Sequence, residues 1–106
     1  MPPTAFQAVA DPIRRGILDL LRTSGPLRAG DLAAHFPQIS RPGVSKHLRV
    51  LRGAQLLQQE RRGRELWYRL DPLPLRQIKG WLGQYQRFWQ ARLEALKRAS
   101  EGTENN

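Results

Sequence analysis

The chain has 106 residues, with 18 Lys plus Arg against 9 Asp plus Glu and a net charge of +9 at neutral pH. That length allows one domain with a modest core, for which oligomerisation would be a natural aid, and the charge favours phosphate-rich or acidic partners. The absence of cysteine excludes disulfides, thiolate metal sites, cysteine nucleophiles and thiol redox sensing together. No run approaches about 18 consecutive apolar residues, and the N-terminus lacks a basic-then-apolar signal pattern. The expectation is a cytoplasmic protein with no membrane partner.

The first helical signal is short, Thr4 to Ala10, and carries Phe6 and Val9. Asp11-Pro12 then reads as a fresh start, because Asp accepts from free N–H groups and Pro loses nothing at the first helical position. Ile13, Ile17, Leu18 and Leu21 follow at helical spacing until Ser24-Gly25-Pro26 stops the run. A third helix is expected from about Ala29 to His35, ended by Pro37, since the residue before a proline is pushed out of the α region. After the short connection Pro37 to Ile39, Ser40 is a good N-cap for the next helix, 40–54. Two helices joined by so tight a turn form a helix-turn-helix unit.

The stretch from Ser40 to Leu51, S-R-P-G-V-S-K-H-L-R-V-L, has two different faces. At 100° per residue, Val44, Leu48 and Leu51 fall within about 60° of one another. Pro42, Ser45, Lys46 and Arg49 cluster on the opposite side. Such a helix is anchored in a core and offers donors and positive charge outward. Leu56 to Arg61 and Glu65 to Leu70 read as strands, the second alternating Leu66, Tyr68 and Leu70 against Trp67 and Arg69. Gly63 sits where the hairpin must turn. Between Arg41 and Arg64 lie seven basic residues and one acid, Glu60, so the charge is concentrated on this helix and hairpin.

Asp71-Pro72-Leu73-Pro74 breaks the sheet and launches a last helix, about Leu75 to Arg98. Leu75, Ile78, Leu82, Tyr85, Trp89, Leu93 and Leu96 recur on it in steps of three and four, and Trp81 and Phe88 widen the stripe. So much apolar surface exceeds what a small winged domain covers alone, and it reads as a dimer seam; the alternative is that it folds back on its own domain. The fold expected is mainly α with a small β-hairpin: a winged helix-turn-helix of about five helices plus a two-stranded wing, one domain over 1–98, dimerising through terminal helices. Residues 99–106 are expected to form a disordered polar tail.

Three segments together resemble the ArsR-type winged-helix repressors of bacteria: A-D-P-I-R-R-G-I-L-D-L-L from Ala10, S-R-P-G-V-S-K-H-L-R-V-L from Ser40 and E-R-R-G-R-E-L-W-Y-R-L-D from Glu60. The closing W-L-x-x-Y-x-x-F-W-x-x-R-L from Trp81 resembles a branch of that family without the familiar metal sites. The resemblance covers about Ala5 to Leu96. It implies a homodimer whose first and last helices form the interface, which adds Phe6 to Ile78, Leu82, Tyr85, Trp89 and Leu93. It further implies two recognition helices in successive major grooves, and control of the chain's own or a neighbouring operon, usually by repression. The family commonly has glycine where Gln55 stands, ending the recognition helix in a left-handed conformation. Here Gly53 lies two residues earlier, and Gln55 must take whatever geometry the cap requires.

Ser45, Lys46 and Arg49 occupy the face from which side chains reach base edges or phosphates, Arg being able to pair guanine O6 and N7 in two-pronged fashion. Ser40 and Arg41 lie at the helix N-terminus, where free N–H groups attract phosphate. Pro42 and Gly43 contribute there by shape. His47, on the flank of the apolar stripe, is either a packed, hydrogen-bonded histidine or a DNA contact. Arg62 and Arg64, in the wing 60–65, suit the minor groove or the backbone. No residues are arranged for catalysis, and no metal or other cofactor is expected, because His35 and His47 belong to no ligand spacing. An apolar pocket lined by Trp81, Tyr85, Phe88 and Trp89 could hold a small-molecule effector, but such a stripe is more often plain core. The expected function is a sequence-specific double-stranded DNA-binding regulator. A nonspecific nucleic-acid-binding or architectural protein, and a protein-interaction module using the aromatic last helix, remain open beside it.

Overall fold

The computed structural model describes the backbone of residues 1–104 and the side chains of residues 1–101. Helix α1 (Ala5–Ala8) opens with a capping box, in which Thr4 Oγ1 accepts from the Gln7 N–H and the Gln7 side chain accepts from the Thr4 N–H. These reciprocal bonds satisfy donors that a helix start leaves orphaned. Helix α2 (Pro12–Ser24) begins as its sequence dictates: the Asp11 carboxylate accepts from the Arg14 N–H at 3.0 Å, and Pro12 occupies the first turn. It stops at Gly25, whose φ of +80° suits a residue without Cβ.

Strand β1 (Leu27–Arg28) leads into helix α3 (Ala29–Ala34), and helix α4 (Arg41–Gly53) follows across a tight turn. Strands β2 (Leu57–Arg62) and β3 (Glu65–Leu70) form the hairpin. The sheet is antiparallel in the order β1-β3-β2, with Leu57 opposite Leu70 through to Arg62 opposite Glu65, and Leu27 opposite Tyr68 on the other side. Helix α5 (Leu75–Gly83) and helix α6 (Gln86–Glu104) complete the chain.

One core lies between the helices and the inner face of the sheet. Ile17, Leu18 and Leu21 of α2 meet Val44, Leu48 and Leu51 of α4, with Leu32, Leu56, Leu57 and Tyr68 closing the space, all of them buried. Each such aliphatic side chain removed from water contributes about 1.5–3 kcal/mol, which makes the apolar face of α4 an anchor. The end of α4 is a two-bond Schellman arrangement: Gln55 N–H donates to Arg52 O at 2.9 Å and Leu56 N–H to Leu51 O at 3.0 Å. Gln55 stands at φ +64°, so this non-glycine residue carries a left-handed cap that a glycine would carry without strain.

Several expectations are corrected. The sheet has three strands, because the two residues of β1 are too few to show periodicity. Among the described residues there are six helices, α1 ends at Ala8 with a turn after it, and β2 runs one residue later than expected. The last helix is broken: Gln84 N–H donates to Trp81 O and Tyr85 N–H to Leu82 O, tight i to i−3 bonds that follow Gly83. Gly80 and Gly83 each cost a helix interior about 1 kcal/mol relative to Ala, which weakens it at this place. Helix α6 continues to Glu104, so the polar tail expected from residue 99 is helical that far; Asn105 and Asn106 lie outside the described residues. The chain divides into two compact units, Met1–Arg76 and a second beginning at Gln77. No side chain of α5, and no described side chain of α6, is buried.

Candidate nucleic-acid interface

Helix α4 presents Arg41, Pro42, Ser45, Lys46, Arg49 and Arg52 to solvent. Among the described residues the side chains of Arg41, Ser45, Lys46, Arg49 and Arg52 have no hydrogen-bond or ion-pair partner, so four cations on one helix are uncommitted. Four residues expected at the site, Arg41, Ser45, Lys46 and Arg49, are therefore brought together. Ser40 Oγ accepts from the Gly43 N–H at 3.2 Å, which commits its lone pair to the cap and leaves its hydroxyl proton free to donate. Of the first three helical positions, Pro42 has no N–H and that of Gly43 is taken; the Arg41 N–H remains for an external acceptor.

Gly43 has an internal reason to be glycine. A Cβ there would lie 2.7 Å from Ile39 Cγ2 and 3.2 Å from Ser40 Oγ, so the tight turn before α4 is what forbids a side chain. His47 is drawn the other way, toward α2. Its Nδ1 lies 3.3 Å from Arg14 Nη1 and 4.0 Å from Asp11 Oδ2. The two neighbours make opposite demands on Nδ1: it accepts in a hydrogen bond from the guanidinium, which only donates, and it faces the carboxylate as a cation when the ring is protonated. The hydrogen bond from the Arg14 N–H, chiefly, holds the Asp11 carboxyl below its usual range; His47 and the Arg14 charge add to this, against the opposing effect of burial. His47 thus sits on the anchoring edge of α4, apart from the exposed cations.

Arg14 is a hub that sequence inspection does not reveal. Its Nε donates to Ala8 O at 2.8 Å and its Nη2 to Gln7 O at 3.1 Å, while Arg15 Nη1 donates to Val9 O at 2.7 Å. The A-D-P-x-R-R segment therefore caps the end of α1 with two arginines, starts α2 with Asp11, and meets α4 through His47.

In the wing, Gly63 at φ +63° is followed by Arg64 without a positive φ, the pattern of a type II′ hairpin turn. Arg62 and Arg64 are not equivalent. Arg62 Nη2 lies 3.3 Å from Glu60 Oε2, and its guanidinium covers the Trp67 ring at 4.5 Å. Arg64, at the tip, is exposed and has no partner among the described residues. Glu65 is engaged by Arg28, whose Nη1 lies 2.7 Å from Glu65 Oε2 and whose Nε lies 2.8 Å from Asp31 Oδ2. Sequence reasoning missed this triad, because Arg28 and Glu65 stand 37 residues apart and only the pairing of β1 with β3 brings them close.

The residues expected to form a dimer seam are distributed over α1, α5, the turn at Tyr85 and α6. Leu82, Tyr85, Trp89 and Leu93 are between 37% and 62% exposed, Phe6 is 40% exposed and Ile78 is half-buried. Trp81 and Tyr85 stack edge to face with centroids 5.4 Å apart.

Residues 9–60 match the family model of a helix-turn-helix domain. The chain is 42% identical over 77 residues to the transcriptional repressor SdpR of Bacillus subtilis, covering 73% of this chain and 83% of that protein. It is 43% identical over 88 residues to the HTH-type transcriptional regulator Rv2034 of Mycobacterium tuberculosis, covering 83% and 78%. Its structure is similar to that of an ArsR-like transcriptional regulator from Rhodococcus, with a TM-score of 0.69 at 32% identity over 92% of this chain and 87% of that one.

Proposed function

The chain belongs to the ArsR-type winged helix-turn-helix regulators, sequence-specific DNA-binding transcriptional repressors, and we propose that it works as a homodimer on a palindromic operator. Helix α4 enters the major groove, where Arg49 reads a base edge and Ser45 and Lys46 contact bases or phosphates. Ser40 and Arg41 meet the backbone at the helix start, and Pro42 and Gly43 allow close approach. The wing adds affinity, chiefly through Arg64, while Arg62 supports the wing from within. His47 acts as a packing residue. Phe6, Ile78, Leu82, Tyr85, Trp89 and Leu93 form the dimer seam. No catalytic step is assigned, and the protein acts in the bacterial cytoplasm.

The observation that carries this reading is the contrast between the two sides of α4. Val44, Leu48 and Leu51 are buried, whereas the cations opposite them have no internal partner among the described residues. A +9 protein binds any duplex to some degree through counterion release. Selection of bound sequences from a random duplex library, followed by competition with scrambled DNA, separates the specific from the nonspecific mode. The expected product is a palindrome with half-sites about one helical turn, ~10–11 bp, apart. Equal affinity for the selected and scrambled duplexes would remove the specific reading.

A further inference from the structure

We propose that Arg28 is a positioning residue for the wing: it holds Glu65 aside and so keeps the Arg64 guanidinium available to a DNA phosphate. The inference rests on the DNA-binding reading above. Around the wing the described carboxylates are each matched to an arginine. Glu60 pairs with Arg62, which is further fixed over Trp67. Glu65 pairs with Arg28, which a second carboxylate, Asp31, grips from α3. Arg28 is itself located by the sheet, standing opposite Trp67 where β1 pairs with β3. Its guanidinium is held more firmly protonated than usual, by Glu65 first and Asp31 next.

Arg61 and Arg64 are the wing cations left over among the described residues, and Arg64 is the one beside Glu65 at the tip. It lines the same open depression, of about 390 Å³, as Arg28, Asp31 and Glu65. Counting those four side chains, two positive and two negative charges cancel. Without Arg28 the balance becomes −1. Two consequences follow from elementary electrostatics. Glu65, released, has Arg64 as the remaining cation lining that depression, and pairing there consumes the group meant for phosphate. An uncompensated carboxylate beside an approaching phosphate also repels it. Exposed ion pairs of this kind add little to stability, so the expected role of Arg28 lies in orientation and charge balance more than in holding the fold.

The test uses the full chain, the selected operator and a scrambled duplex, with affinity followed by fluorescence anisotropy between about 50 and 200 mM salt. Arg28→Ala is expected to raise Kd on both duplexes about five- to tenfold and to reduce the salt slope by about one for each wing engaged. Glu65→Gln combined with Arg28→Ala is expected to restore Kd to within about twofold, because it removes the competing charge. Arg28→Ala added to Arg64→Ala is expected to raise Kd by less than Arg28→Ala does in the wild-type background, because only the repulsion from Glu65 is left to act. Thermal melts of every variant check that the fold persists. Unchanged affinity of Arg28→Ala, or failure of Glu65→Gln to rescue it, would overturn the inference while leaving the DNA-binding reading in place. Wild-type protein that binds no duplex would overturn both.

Discussion

Gln55→Gly should make the protein more stable. At φ +64° a residue with a Cβ stands in a conformation costing about 1–2 kcal/mol. Glycine removes that strain but gives the unfolded chain more freedom, a loss of about 0.4–1 kcal/mol. Taken at the middle of both ranges, the difference leaves a net gain of about 0.8 kcal/mol. For a domain near 100 residues, this corresponds to a melting temperature higher by about 2–8 °C. Both Schellman bonds, from Gln55 to Arg52 and from Leu56 to Leu51, are made by backbone atoms and survive the change. Urea unfolding at one fixed protein concentration is the appropriate assay, since any subunit association would otherwise shift the midpoint. The midpoint should rise with the slope unchanged, and Gln55→Ala, equally strained, should stay near wild type. A lower midpoint for Gln55→Gly would refute the account of this cap.

Gly43→Ala is expected to destabilise by about 1–3 kcal/mol through overpacking against Ile39, and the measured loss should shrink when Ile39→Ala is added; a fully stable Gly43→Ala would contradict the 2.7 Å approach. Asp11→Ala should cost about 1 kcal/mol at pH 7 by removing the α2 cap. Because the folded carboxyl titrates below 3.8, its contribution is complete above that pH and fades as pH falls through the lower folded value, so melts at pH 7 and pH 3 should show the wild-type advantage narrowing. Arg49→Ala should weaken operator binding by about 1–3 kcal/mol with little effect on scrambled duplex. Arg64→Ala should weaken both duplexes and flatten the salt dependence, and a titration showing no change in either variant would exclude these roles.

The long-period features of the fold were legible in the sequence. Val44, Leu48 and Leu51 declare the buried side of α4 by spacing alone, and Leu66, Tyr68 and Leu70 declare the inner side of β3. Asp11, Pro12 and Ser40 mark their helix starts through capping chemistry that is local and therefore visible. What escaped inspection was set by contacts distant in sequence or by very short elements. β1 has two residues and no pattern. The break after Gly83 interrupts an apolar stripe whose steps of three and four run straight across it. His47 could be read either way until Arg14 and Asp11 were placed beside it. Arg62 and Arg64 look like equivalent wing charges, and only the positions of Glu60, Trp67 and Arg28 tell them apart.

The ring beneath Arg62 has a practical consequence. Of the three tryptophans in the chain, Trp81 and Trp89 stand in α5 and α6, whereas Trp67 belongs to the hairpin, with its indole N–H buried and without a hydrogen-bond partner among the described residues. With Trp81 and Trp89 replaced by Phe, the remaining indole emission would come from the hairpin alone. A guanidinium lying on that ring makes its spectrum sensitive to whatever pulls Arg62 away, so this small domain carries a native optical gauge of its own basic finger.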